Sequence, residues 1–252
     1  MNKVKIAWYG LHKGEEPPLS PAGGIFFSGC NLHCVFCQNY QISQENLGKL
    51  YSVEELTKIM LELENQGANN IDLVTPTIWH KQIKKAILSA KEKGLKIPIV
   101  WNSNAYEDKE IIKSMDGLID IYLPDFKYSD DELAFKYSGI KNYFETATKA
   151  IEEMLRQVGH LQIINNKATR GIIIRHLVLP NNLENSFGVL KKLFEIDLDI
   201  YISLMNQYLP MYKANNFPEL TKIVTKEEFE KVYNYLLDLG FENGWLQGEK
   251  SQ

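Results

Sequence analysis

The chain has no fourth cysteine. Cys30, Cys34 and Cys37 are its only three, and they fall within eight consecutive positions. An odd count in one cluster argues against a disulfide framework and for a reducing compartment, so the expected location is cytoplasmic. No run of about 18 apolar residues occurs, which argues against a membrane span. The opening MNKVKIAWYG lacks the apolar run and small-residue cleavage site of a secretory signal. Positive charge is not in excess either. With 28 Lys and Arg against 32 Asp and Glu, the formal charge is −4, and no footprint for nucleic acid or anionic lipid is present. The densest basic stretch, Lys81, Lys84, Lys85, Lys91, Lys93 and Lys96, falls on a predicted helix and reads as its solvated face. Glycine and proline are few, as in a soluble globular chain.

What is present is a 252-residue chain that is 44% hydrophobic, enough for a single domain over 1–252 with a full core. Its expected parts are an N-terminal segment (1–24), a β/α core (25–210) and a C-terminal helical segment (211–252). Lys3–Tyr9 reads as a short strand. Gly10 to Pro18 reads as loop, since two glycines and paired prolines suit neither element interior. Ile25-Phe26-Phe27 is an apolar strand running straight into the cysteines.

A helix is predicted over Val53–Gln66, with a Ser52/Glu55 capping box and an apolar stripe of Val53, Leu56, Ile59, Met60 and Leu63. Further strands are predicted at Ile71–Val74, Ile97–Trp101, Leu118–Leu123, Gly171–Leu179 and Ile200–Met205. Helices are expected over Lys81–Lys93, Lys109–Met115, a piece capped by Ser129 with Glu132, a piece from Asn142 to Val158, Phe187–Phe194 and Lys226–Leu239. Leu161–Ile164 and the strand from Gly171 flank an Asn165-Asn166-Lys167 turn. Six strands alternating with helices imply parallel β/α units. The expected class is therefore α/β, a partial (β/α)6 TIM-like barrel of parallel strands, with a doubly wound sheet as the competitor.

In a parallel β/α barrel, chemistry collects at the C-terminal ends of the strands. Those ends carry Cys30, Cys34 and Cys37; Thr75 and Thr77; Asn102, Ser103 and Asn104; Asp125 and Lys127; and Asn206 and Gln207. Arg175 and His176 lie inside the fifth strand and point to opposite faces. Three thiolates cannot fill a four-ligand zinc site unless His33, cramped between two cysteines, joins them. They can hold a cubane [4Fe–4S] cluster and leave one iron open to a chelating ligand.

The C-x3-C-x2-C loop with Phe36 before its last cysteine resembles the radical S-adenosylmethionine (SAM) superfamily. Ile25-Phe26-Phe27-Ser28-Gly29-Cys30-Asn31-Leu32 and Cys37-Gln38-Asn39-Tyr40 are similar to the cluster region of its pyruvate formate-lyase activating enzyme-like group. The resemblance implies a [4Fe–4S] cluster on the three cysteines, its open iron chelated by SAM. Reductive cleavage of SAM then gives a 5′-deoxyadenosyl radical that abstracts hydrogen from a substrate. It further implies a protein substrate of the glycyl-radical enzyme type and a reducing partner such as flavodoxin or ferredoxin. With no further cysteines, auxiliary clusters are not expected.

By the same resemblance, Phe36 packs near the adenine, Asp125 and Lys127 help to fix SAM, and Arg175 faces the site; a buried arginine must be paired, and Asp125 is a candidate partner. The family's Gly-Gly-Glu, which holds the SAM amino group, is replaced by Thr75-Pro76-Thr77. Asn102 and Gln207 stand where the pyruvate formate-lyase activator has a carboxylate and a histidine. Thr75, Thr77, Asn102, Asn104 and Gln207 complete the expected cofactor-binding set. His12, Glu15 and Glu16 either cover the site or form a plain surface loop. The competing readings are radical chemistry on a small metabolite or RNA base, an iron–sulfur electron carrier, and a zinc-stabilised binding module.

Overall fold

The computed structural model describes residues 3–248. In chain order the elements are β1 (Lys3–His12), β2 (Ala22–Phe27), α1 (Tyr40–Ser43), β3 (Lys49–Ser52), α2 (Val53–Asn65), β4 (Ile71–Val74), α3 (His80–Glu92), β5 (Ile99–Ser103), α4 (Lys109–Ser114) and β6 (Ile121–Pro124). Then follow α5 (Asp131–Ser138), α6 (Tyr143–Val158), β7 (Gln162–Ile164), β8 (Lys167–Leu177), α7 (Leu183–Ile196), β9 (Tyr201–Met205), α8 (Lys226–Asp238) and β10 (Gly244–Gln247).

The six parallel strands expected from the sequence are β2, β4, β5, β6, β8 and β9, adjacent in that order. The sheet stays open, running from β10 at one end to β3 at the other. Helices cover its outer face through their apolar stripes. On α2, Val53, Leu56, Ile59, Met60 and Leu63 are all buried, each large aliphatic contributing about 1.5–3 kcal/mol by removal from water. The Ser52/Glu55 and Thr225/Glu228 capping boxes both form. The Asn165-Asn166 turn joins β7 to β8, with positive φ at both residues, as a tight hairpin requires.

The structure differs from expectation where a tertiary partner overrides local signals. Gly10, Leu11 and His12, read as loop, extend β1 because they pair antiparallel with Gly24, Gly23 and Ala22 of β2. The C-terminal segment is more than helical: β10 adds a seventh parallel strand beside β9. Asp130, not Ser129, caps α5 by accepting from the Glu132 amide at 2.6 Å; the Ser129 hydroxyl donates to the Asn185 carbonyl. Asn142 has φ +55° and no side-chain cap bond, and Asp131 accepts from the Phe144 amide in its place. The predicted helix at Phe187 begins four residues earlier, at Leu183.

Candidate active site

The cysteine loop leaves β2 through Ser28 and Gly29. Gly29 has φ +86°, and an added Cβ would lie 2.7 Å from Ile78, so this turn requires glycine. The loop is tied down from three sides. The His33 and Val35 amides donate to the Ser138 and Tyr137 carbonyls of α5, the Gly29 amide to the Ile42 carbonyl of α1, and the Lys213 amide to the Val35 carbonyl. Trp79 Nε1 donates to the Ser28 carbonyl at 2.9 Å.

All three thiols border one cavity of about 440 Å³ at the C-terminal ends of the parallel strands, a size suited to a small-molecule cofactor. Each sulfur has a polar neighbour. The Leu32 amide and Asn104 Nδ2 both reach Cys30 Sγ at 3.4 Å. Ser138 Oγ lies 3.0 Å from Cys34 Sγ, and Ser43 Oγ lies 3.2 Å from Cys37 Sγ. Burial pushes the Cys30 thiol up and the Cys34 thiol up to about 12. Ionising them here needs a bound cation to offset the desolvation.

The spacing of these sulfurs separates two kinds of metal centre. Among the described residues, the single trio of His, Cys, Asp or Glu ligand atoms lying within 4.8 Å of one another is His160, Asp197 and Asp199. At least one pair of the cysteine sulfurs is therefore farther apart than that. One zinc ion with Zn–S bonds of about 2.3 Å would need every sulfur pair within about 4.6 Å. His33 gives no help, since its Nδ1 is turned outward to Gln44 Oε1 at 2.8 Å. A donor set of three splayed thiols suits a polynuclear cluster with one open metal position.

The expected cofactor residues gather around the same cavity, with one exception. Phe36, Thr75, Asn102, Asn104, Asp125, Lys127, Arg175 and Gln207 line it. Thr77 instead borders a neighbouring cavity of about 590 Å³, together with Asn31, Tyr106 and Glu107. The cause is backbone: Thr75 takes φ +59°, rare for a β-branched residue, and a 3-10 turn over Thr77–Trp79 follows at once. That reversal carries Thr77 away.

Phe36 is buried and meets the Tyr208 ring edge-on at 5.9 Å. Lys127 Nζ donates to Asp125 Oδ2 at 2.7 Å. Burial opposes the Lys127 charge most strongly, yet Asp125 together with Cys34 and Tyr143 outweighs it and holds the ammonium above its ordinary range. Asp125 is thus taken by Lys127 and does not bond to Arg175, contrary to expectation.

The partners of Arg175 come from the N-terminal segment. Its Nε and Nη2 donate to Glu16 at 2.8 and 2.6 Å, and Nη2 also reaches Glu15. Both carboxylates are buried, so 15–16 form a strap across the barrel interior, not a surface loop. Burial resists the charge on Glu16, but Arg175 lowers its pKa overall. Gln247 on β10 donates to Glu16 at 2.7 Å and accepts from Gln207 at 2.9 Å, linking the strap to the far edge of the sheet.

Several contributors carried no recognised signal in the sequence. Asp72 on β4 is buried below the cavity, where burial and then Glu15 push its carboxyl well above the usual range, and Asn102 Nδ2 donates to it at 3.3 Å. Asn31, within the cysteine motif, joins the loop to β5 by accepting from Asn104 at 2.7 Å and donating to the Tyr106 carbonyl. The Tyr143 hydroxyl bonds the Asn104 and Asp125 carbonyls and accepts from the Lys127 amide. Asn31 was readable from its place between Cys30 and Cys34; Asp72 and Tyr143 were not. His176 points away from the cavity, bonding the Phe126 carbonyl and Ser186 Oγ.

An open parallel β/α barrel with three thiols on the loop after its first parallel strand defines a class of cluster-dependent enzyme. Residues 25–166 match the radical SAM superfamily, and the chain belongs to that superfamily. Its members use a [4Fe–4S] cluster and SAM. An uncharacterised protein of Methanocaldococcus jannaschii is 36% identical over 94% of this chain and 70% of its own length. The pyruvate formate-lyase-activating enzyme of Clostridium pasteurianum is 25% identical over 91% of this chain and 97% of its own. Among solved structures, Streptococcus suis SuiB bound to its precursor peptide SuiA superposes with a TM-score of 0.63 at 14% identity. That likeness is one of fold; it covers 88% of this chain, which spans about half of SuiB (47%).

Proposed function

We propose that the protein is a radical SAM enzyme that abstracts a hydrogen atom from a residue of a protein or peptide partner. The observation carrying the cofactor chemistry is the single cavity onto which three splayed thiols, Asp125–Lys127 and Arg175 open. Cys30, Cys34 and Cys37 would hold a [4Fe–4S] cluster, which would supply the single electron for reductive cleavage of SAM to methionine and a 5′-deoxyadenosyl radical.

The chain's own residues hold, orient and shield. Cys30, Cys34 and Cys37 supply three thiolates and leave the fourth position to SAM. Phe36 offers an apolar face to the adenine, and the fixed Asp125–Lys127 pair supplies directed donors and acceptors for the polar groups of SAM. Arg175, Glu15 and Glu16 close the barrel interior beneath, which excludes bulk water from a reactive radical. The likeness to an activating enzyme and to a peptide-binding enzyme supports a protein or peptide target, with a glycine of a glycyl-radical enzyme as the specific candidate and flavodoxin or ferredoxin as reductant.

The target class is tested by isotope transfer. Source cells are grown on deuterated amino acids, and their proteins are separated from small metabolites. Each fraction is then incubated with reduced, reconstituted enzyme and SAM. Deuterium should enter 5′-deoxyadenosine from the protein fraction. Enrichment from the small-molecule fraction alone would overturn the protein-target reading.

A further inference from the structure

β1 is ten residues long, and its two neighbours cover it unequally. β2 pairs with it from Ile6 to His12, whereas β3 pairs only from Lys3 to Ile6. Since the sheet order ends β2, β1, β3, no strand among the described residues lies on the β3 side of β1 beyond Ile6. The chain before Lys49 leaves that line at Gly48, where φ is +145° and an added Cβ would strike the Ile6 carbonyl. The Leu47 carbonyl is drawn instead to the Ser28 hydroxyl. Alternate backbone N–H and C=O groups of Ala7–His12 therefore face an open edge.

Sheet edges are usually protected by charges, prolines or brevity. Ala7–Leu11 contains neither a charge nor a proline, and Trp8, Tyr9 and Leu11 are exposed there. The edge also adjoins the cysteine cavity. Trp8 meets Phe26 edge-on at 5.4 Å, and His12 meets it at 5.8 Å; His12 and Phe26 line the cavity wall. Alternate residues of a strand share one face. A strand added here would continue the line of β3 and place every second side chain on the Trp8–His12 face, at the cavity mouth.

We infer that the Ala7–His12 edge of β1 receives an extended segment of the polypeptide substrate as an added strand. Main-chain hydrogen bonds supply the affinity, and the side chains of the cavity face select and deliver the reacting residue. The inference rests on the protein-target reading above. Its occupant follows from the edge itself, because only an extended backbone satisfies a row of alternating donors and acceptors.

The test uses short random-sequence peptides displayed on phage and selected anaerobically against the reconstituted protein with SAM. Selected peptides are synthesised, and hydrogen exchange of the protein is followed with and without them. One alternate set of amides between Ala7 and His12 should exchange about tenfold more slowly with peptide bound, and N-methylation along the peptide should weaken binding at every second position. Failure to select any binder, or binders that leave these amides unprotected, would overturn the inference. Deuterium transfer from proteins without edge protection would sink the docking site alone. Absence of transfer from any protein would sink the target reading itself.

Discussion

Arg175 on β8 donates two hydrogen bonds to Glu16, 159 positions earlier in the chain, at 2.8 and 2.6 Å, with both groups buried. This pair fastens the N-terminal strap into the barrel and gives the floor of the cavity its shape. Removing Glu16 leaves Arg175 with Glu15 as its remaining buried carboxylate and strips the bond from Nε. Glu16→Ala is expected to destabilise the cluster-free protein by about 1–3 kcal/mol in urea unfolding. The Glu16→Ala/Arg175→Met double variant should lose clearly less than the sum of the two singles. Additive losses would show that the two side chains do not act as a unit.

The thiols are expected to be indispensable for iron. Cys37→Ala should retain less than about a tenth of the iron and visible absorbance of the reconstituted wild type, because three thiolates are the minimum for a cubane with one open corner. Full iron loading in this variant would remove Cys37 from the ligand set.

Asp125 should act on SAM and not on the metal. Its partner Lys127 is held charged at the cavity wall. Asp125→Ala should leave iron content intact and weaken SAM about tenfold in equilibrium titration, the loss of one charge-assisted contact. Unchanged affinity would exclude it from the site.

His176 offers a pH signature away from the cavity. Burial lowers its pKa from 6.5 to about 4. An unfolded chain takes up this proton near pH 6.5, and the folded one only near pH 4. The stability linked to the neutral ring is therefore complete above pH 6.5 and falls by about 3 kcal/mol as the pH drops through that window. Imidazole nitrogen shifts should show one of the five histidines still neutral at pH 5. Titration of every histidine near 6.5 would contradict the buried placement.

The six parallel strands were legible as short apolar runs alternating with helix-period segments, and the capping boxes of α2 and α8 are local. The cysteine loop and most of the cavity wall followed from that register. The Arg175–Glu16 bond was not legible, since no local pattern encodes a contact across 159 positions, and Asp125 beside Arg175 in the β6–β8 register offered a plausible wrong partner. Thr77 borders the neighbouring cavity for a local reason: strand-end logic assumes extended backbone, and the positive φ at Thr75 breaks it. The far half of β1 looked like loop because Gly10 reads as a turn residue, whereas it sits in the ladder opposite Gly24.

The central claim is that this cavity cleaves SAM reductively. The protein is reconstituted anaerobically with iron and sulfide, reduced, and mixed with SAM while 5′-deoxyadenosine is followed by chromatography. The account predicts 5′-deoxyadenosine together with a SAM-dependent change in the EPR signal of the reduced cluster, both lost in Cys37→Ala. A fully loaded cluster whose signal SAM does not alter, with no 5′-deoxyadenosine formed, would contradict it.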